Sequence, residues 1–218
     1  KLNETNKDLI FINGGVIGYS TLQEYLVLKE NITIPNLKFI ILFHTLANDM
    51  WMNIKNENFN PAANLKNGKL ILLKPKKIYY EKFYKKTFIY KFLDKSLLKG
   101  RDLEYLFHRI DFAIRGDKSH VWKVQEKIIR EIIKLTNNSS IPIIIVDIPT
   151  RNQLNNFSIS QVRQELMKKI CEETNTKYYS LFDFYPKNWI DLFIDKDTHW
   201  NNTGHTFIAK FIQNTVLK

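Results

Sequence analysis

The chain has 218 residues, 44% hydrophobic and 25% charged, and 33 Lys and Arg against 22 Asp and Glu give it a formal net charge of +11. That balance excludes a disordered chain, and the length suits one domain with a sizeable core. The longest apolar runs, Phe39 to Phe43 and Ile141 to Val146, fall far short of the roughly 20 residues that span a bilayer, and a lone cysteine, Cys171, excludes an intrachain disulfide and a cysteine metal cluster.

In chain order, Lys1 to Asn6 carry no leader pattern, so any targeting segment, exported or membrane-anchoring, is expected upstream. Asp8 to Asn13 is a short apolar run stopped by Gly14-Gly15, and Ser20 to Lys29 has helical character, with Leu22, Tyr25, Leu26 and Leu28 available for burial. The segment reads as strand, glycine turn, helix. Lys38 to His44 is a second buried-strand candidate, ending in the turn-prone Ala47-Asn48-Asp49.

From Trp51 to Gly116 the pattern is mixed, with a strand pair predicted around Asn67-Gly68 and helical pieces between Tyr79 and Arg115. Residues 51–117 read as a variable, lid-like insertion within a single 1–218 domain. Val121, Val124, Ile128, Ile132 and Leu135 then recur at spacings of three and four, one face of a helix whose wet face carries Lys123, Glu126, Lys127, Arg130, Glu131 and Lys134. Ile141 to Asp147 is a continuous β-branched run, the mark of a strand covered on both faces, and Pro149 ends it. A helix from Ser160 to Thr174 is expected to bury Val162, Leu166 and Ile170, with Cys171 a partly buried bystander. A strand over Lys177 to Asp183 and a last helix over Asn202 to Val216 complete the pattern. The alternation predicts an α/β sandwich with a mainly parallel sheet.

The lysines are spread along the chain, so basicity alone does not identify a nucleic-acid partner, and none is expected. The densest basic-aromatic stretch, Lys74 to Lys91, has a bland reading that is favoured: an amphipathic excursion whose aromatics pack while lysine stems snorkel. Peripheral contact with an anionic membrane stays open, as does the oligomeric state.

In parallel α/β sheets functional groups gather at the carboxyl edges of strands, and three turns there stand out. They are Asn13 to Thr21 after the first strand, Ala47-Asn48-Asp49 after the second, and Asp195 to His205 before the last helix. Singly, each has a bland explanation, because glycines and Asn-Asp pairs form turns and a His beside an Asp is often structural.

In this order the blocks resemble the SGNH hydrolases, the GDSL-type esterases and lipases, over nearly the whole chain. Asn13-Gly14-Gly15-Val16-Ile17-Gly18 is similar to the family's glycine block, with Gly18 in the functional position, and Ala47-Asn48-Asp49 to its asparagine block, with Asn48 in the functional position. Asp197-Thr198-His199-Trp200-Asn201-Asn202-Thr203-Gly204-His205 matches the acid, histidine and Asn-x-x-Gly-His block. The family's Gly-Asp-Ser block, which bears the nucleophile, matches nothing in these residues, so the nucleophile is expected upstream of Lys1 with the first strand and helix of the sheet.

The resemblance implies a three-layer α/β/α sandwich of the flavodoxin-like SGNH kind and a serine-dependent hydrolysis or transfer of acyl esters, such as O-acetyl or lipid-type esters. It makes His199 the general base, Asp197 the acid that orients it with Asp195 as the rival, and Gly18 and Asn48 donors to the oxyanion. The implied partner is a small-molecule, glycan or lipid acyl ester, with no cofactor and no metal. The alternative is an inactive binding or assembly module on the same scaffold, using its basic surface for an anionic partner. Ser20 reads as a helix N-cap rather than a nucleophile, His205 as packing or capping, and His44, His108 and His120 have no recognisable partner spacing.

Overall fold

The computed structural model describes residues 2–5, 8–16, 18–45, 49–54, 61–74, 103–155 and 158–217. In chain order the elements are α1 (Leu2–Thr5), α2 (Thr21–Asn31), β1 (Ile40–Thr45), α3 (Asp49–Met52), β2 (Ala62–Lys66), β3 (Lys69–Leu73), α4 (Leu103–Arg115) and α5 (His120–Asn138). Then come β4 (Ile143–Ile148), α6 (Arg151–Asn155), α7 (Ser158–Glu173), β5 (Lys177–Ser180) and α8 (Asn202–Phe211), which widens into a π-helical turn, Ile212–Val216. The fold is mixed α/β with a small parallel sheet. Two compact units, each discontinuous in sequence, divide the chain: Lys1–Gly18 with Lys29–Ala47 and Ile133–Lys218, and Tyr19–Leu28 with Asn48–Ile132.

In the first unit, β1, β4 and β5 pair in parallel in the order β1-β4-β5. The apolar runs predicted as strands supply β1 and β4, and Ile40 N–H donates to Pro142 O at 2.9 Å, setting the first rung. Alternation then sorts side chains by face. Ile41, Phe43, Ile144, Val146 and Tyr179 share a core with Ile208, Phe211, Ile212 and Val216 from α8 and its extension. Burial of each large apolar side chain of this kind contributes about 1.5–3 kcal/mol.

The other face carries polar groups in its interior. His44 on β1 and Asp147 on β4 are register partners, both buried, with His44 Nδ1 2.7 Å from Asp147 Oδ1. Tyr178 on β5 donates its hydroxyl to Asp147 Oδ2 at 2.7 Å. Burial, and then the neighbouring Asp147 carboxylate, push the Tyr178 phenol well above its ordinary range, so it stays a donor. Beside it, Gln164 of α7 donates to Ser180 Oγ at 2.6 Å.

Three expectations are corrected in this unit. Asp8 to Asn13 forms no strand; Phe11 N–H and C=O are met instead by the Asn3 side chain, at 2.6 and 3.0 Å, while Ile10 and Ile12 stay exposed. A strand requires a neighbouring ladder for its backbone groups, and here one asparagine amide substitutes for it. On α7 the buried stripe is Arg163, Met167, Ile170 and Cys171, and Val162 faces out. The phase that buries Met167, Ile170 and Cys171 together turns Val162 and Lys169 to the outside and takes Arg163 into the interior. The strand predicted through Asp183 stops at Ser180, where Leu181–Asp183 turn into a 3-10 helix.

The second unit is built round a closed polar network. Asn53 Oδ1 accepts the Leu22 N–H of the first turn of α2 at 2.8 Å, its Nδ2 donates to Gln125 Oε1, and Gln125 Nε2 donates to Thr21 Oγ1 at 3.2 Å. Asn53, Gln125 and Thr21 are all buried. Ser20 stands just before the first residue of α2, the N-cap position expected of it, and Gln23 Oε1 reaches back to accept the Ser20 N–H at 3.0 Å and its hydroxyl at 3.3 Å. The predicted hairpin is present: β2 and β3 pair antiparallel across Asn67 and Gly68, both at positive φ (52° and 71°), as a type I′ turn demands. Phe112 packs against Trp51 and Trp122 at 6.2 Å between centroids, and Val121, Val124, Ile128 and Ile132 of α5 are fully buried on the predicted face. The basic-aromatic stretch and the helical pieces expected before Leu103 lie outside the described residues. Among the described residues no helix is long and apolar enough to cross a membrane.

Tyr178→Phe removes one donor and leaves Asp147 Oδ2 buried with one partner fewer. Urea unfolding is expected to show a loss of about 1–3 kcal/mol with an unchanged slope; an unaltered midpoint would show that the hydroxyl bond contributes nothing.

Candidate active site

The Asp195 to His205 block occupies a loop of the first unit whose ends are closed by a bridge between Phe193 and Trp200. Inside it, Ile194 N–H donates to His199 O at 2.9 Å and Asp197 N–H to Ile194 O at 3.0 Å. Lys196 takes the left-handed conformation (φ 58°) that lets the chain reverse between them. From α6, Arg151 Nη1 adds a 3.3 Å bond to the same Ile194 carbonyl.

Asn201 anchors the loop to the helix that follows. Its Oδ1 accepts the N–H groups of Thr203 and Gly204, at 2.8 and 3.0 Å, which makes it the N-cap of α8. Its Nδ2 donates to Asp191 O and Phe193 O, both at 2.9 Å. Gly204 is required by close approach: a Cβ there would stand 2.3 Å from Leu192 O and 2.8 Å from Trp200 Cβ. The Asn-x-x-Gly spacing therefore has a local physical cause, a cap and the one residue small enough to let the helix meet the Trp189–Leu192 turn.

Aromatic rings floor the loop. Trp200 Nε1 donates to Tyr185 Oη at 3.2 Å, and Tyr185 stacks on Phe207 at 5.3 Å between centroids. Burial pushes the Tyr185 phenol up to about 12, a rise that the Trp200 hydrogen bond partly offsets.

On this support His199 Nδ1 lies 2.6 Å from Asp197 Oδ1, which also accepts the backbone N–H groups of Thr198 (2.5 Å) and His199 (3.0 Å). The ring hydrogen bond first, and then those two backbone donors, hold the Asp197 carboxyl below the ordinary carboxylate range. A carboxylate that claims Nδ1 fixes the tautomer and leaves Nε2 as the ring nitrogen for proton transfer. The imidazole is 74% exposed, open to a reacting group.

Of the two acids weighed for this histidine, Asp197 makes the contact; Asp195 is exposed and makes no hydrogen bond or ion pair among the described residues. Gly18 lies in the turn before α2 at φ 81°, a conformation that favours glycine, and no hydrogen bond joins it to the His199–Asp197 pair. Asn48 lies outside the described residues. His205 packs its ring edge-on against Trp200 at 6.1 Å and donates its N–H to Asn201 O, as a packing residue. His120 N–H is capped by Asp111 Oδ2 at 3.1 Å. His44, which has no partner spacing in the sequence, has one in space: Asp147, 103 residues away. The available signal was a polar residue at the end of each of two apolar runs. Among the described residues no group of three or more His, Cys, Asp and Glu could hold a metal ion.

Compared with known proteins, the chain matches no family model, and no curated protein and no solved structure matches it.

Two measurements probe the geometry. In carboxyl-carbon NMR the Asp197 midpoint is expected below that of an ordinary aspartate, and His199→Ala should move it up; a midpoint already at the ordinary value would remove the hydrogen-bonded carboxylate. The stabilisation that this depressed group gives is present above the unfolded-state midpoint and is lost as pH falls through the folded one. Gly204→Ala should lower stability by roughly 2–4 kcal/mol, because backbone rather than a pliable side chain blocks the new methyl, and a thermal scan reads it directly.

Proposed function

We propose that the chain carries the base-and-acid part of a Ser-His-Asp hydrolase of acyl esters, of O-acetyl or lipid type, on an SGNH-like three-layer α/β/α sandwich. The observation that carries this reading is the 2.6 Å contact between His199 Nδ1 and Asp197 Oδ1 in a hydrogen-bonded turn, with the imidazole exposed. The ordered Gly18, Asn48 and Asp197-x-His199 blocks support it.

On this reading a serine upstream of Lys1 attacks the ester carbonyl. His199 Nε2 takes the hydroxyl proton and later gives it to the leaving alcohol, while Asp197 stays ionised and stabilises the imidazolium. Charge growing on the carbonyl oxygen is met by the Gly18 backbone N–H, the Asn48 side-chain amide and the serine's own N–H. Each such donor typically contributes about a hundredfold to a thousandfold in rate. Water, giving a proton to His199 Nε2, then attacks the acyl-serine and the acyl group leaves as the acid while the proton returns to the serine oxygen; acyl transfer follows the same steps with another alcohol replacing water.

The test uses the protein as its source makes it. A fluorophosphonate should label one serine upstream of Lys1, p-nitrophenyl acetate should be hydrolysed, and His199→Ala should abolish turnover with the circular dichroism spectrum unchanged. No label and no turnover would favour an inactive binding module, and undiminished turnover in His199→Ala would remove that residue from the mechanism.

A further inference from the structure

The register of the loop that carries His199 decides what stands beside the imidazole. Asn201 N–H donates to Leu192 O at 3.0 Å and Ile194 N–H to His199 O at 2.9 Å, one on each side of the Phe193–Trp200 bridge. The next opposed pair is therefore Ile194 with His199. Alternation turns Phe193 and Trp200 to one face, where Phe193 is buried and Trp200 half-buried, and Ile194 and His199 to the other. There Ile194 is 47% exposed, and directly opposed side chains stand about 4.5–5.5 Å apart at Cβ. An isoleucine thus borders the exposed imidazole, and its carbonyl is fixed by the Arg151 guanidinium at 3.3 Å and the Asp197 N–H at 3.0 Å.

What this neighbour meets follows from the chemistry of the proposed hydrolysis, on which the inference rests. The tetrahedral carbon bears the serine oxygen, the oxyanion, the acyl chain and the leaving oxygen. His199 Nε2 has to reach both the serine oxygen and the leaving oxygen, because it carries the proton from one to the other. The oxyanion turns to its amide donors, and the acyl carbon exchanges no proton. The substituent on the leaving oxygen is therefore the part of the ester that begins beside the imidazole. Ionic groups of the turn favour neither sign of charge on it, since Asp195 and Asp197 are balanced by Lys196 and Arg151.

We propose that Ile194 determines specificity by packing against the alcohol half of the ester. The substrate class is then the ester of an uncharged alcohol that carries an apolar group within a few carbons of the ester oxygen. Binding covers the exposed part of Ile194 and those first carbons together, and each methylene so removed from water is worth roughly a few-fold in kcat/KM.

The test measures kcat/KM on the protein as its source makes it, with two series of esters. One holds the acyl group and lengthens the alcohol, as ethyl, butyl and hexyl acetate, whose alcohols differ little in acidity. The other holds ethanol and lengthens the acid, from acetate through butyrate to hexanoate. A rise of roughly tenfold from ethyl to hexyl acetate is expected. Ile194→Ser should flatten that rise to about twofold or less, Ile194→Leu should keep most of it, and the dependence on acid length should be the same in all three proteins. A flat acetate series in the unaltered protein, a rise that Ile194→Ser keeps, or a change confined to the acid series would overturn the role of Ile194 alone. Failure of the hydrolysis itself has a different signature. No turnover of any ester, or turnover undiminished in His199→Ala, would overturn that reading and the assignment of Ile194 with it.

Discussion

Asn201 determines where the His199–Asp197 pair stands. A side-chain amide has two donors and two acceptor sites, and here all four are used: two carbonyls before the loop, Asp191 O and Phe193 O, and two N–H groups at the start of α8, Thr203 and Gly204. Aspartate could keep the cap but would set a carboxylate against two carbonyl oxygens, and serine could keep it without reaching back to them. The close approach at Gly204 holds the helix against Leu192 O, and the Trp200–Tyr185 hydrogen bond holds the loop from beneath. Between these two ends the segment from Ile194 to His199 closes on itself through Ile194 N–H to His199 O and Asp197 N–H to Ile194 O, which sets Asp197 beside its imidazole.

The same physical device recurs inside each unit. In the sheet, Asp147 is fully buried, and an isolated buried carboxylate would cost several kcal/mol; His44 and Tyr178 supply its partners from the two neighbouring strands. The consequence is register. A one-residue slip of β1 against β4 would send His44 to the opposite face, among Ile144, Val146 and Phe211, send Phe43 the other way, and leave Asp147 short of a partner. In the second unit, Asn53 joins the start of α2 to α5 through Gln125 and Thr21, specifying one arrangement of otherwise interchangeable apolar contacts.

Where the determinants were local, the sequence could be read. Asn67-Gly68 between apolar runs specifies its hairpin, the three-and-four spacing from Val121 to Ile132 specifies α5, and the Ile-rich run before Pro149 specifies β4. Reading failed where a distant partner decides. Asp8 to Asn13 has the composition of a strand but lacks a ladder, because Asn3 takes the backbone groups of Phe11. The phase of α7 is the one that buries Met167, Ile170 and Cys171 together, with Arg163 among them, rather than the one centred on Val162. In the candidate site the Asp197-x-His199 pair was legible because acid and base are two residues apart, and the choice of Asp197 over Asp195 needed only the turn geometry. His44 and Asp147, by contrast, carry no spacing that a linear pattern could register.

The dyad is built for orientation more than for electrostatic strength. His199 is 74% exposed and Asp197 43%, so water screens their attraction, and an exposed pair of this kind contributes little to stability. What the turn supplies instead is geometry: a fixed tautomer, a fixed ring plane and an Nε2 aimed away from its own backbone. On the proposed mechanism the missing low dielectric has to come from whatever covers the imidazole at the moment of reaction, and an acyl or sugar group of the ester is the material at hand. Covering the pair would strengthen the Asp197–imidazolium interaction only once substrate is bound, when a proton is about to move. A base left open to water and held in register by Asn201 is then in keeping with catalysis that begins with binding.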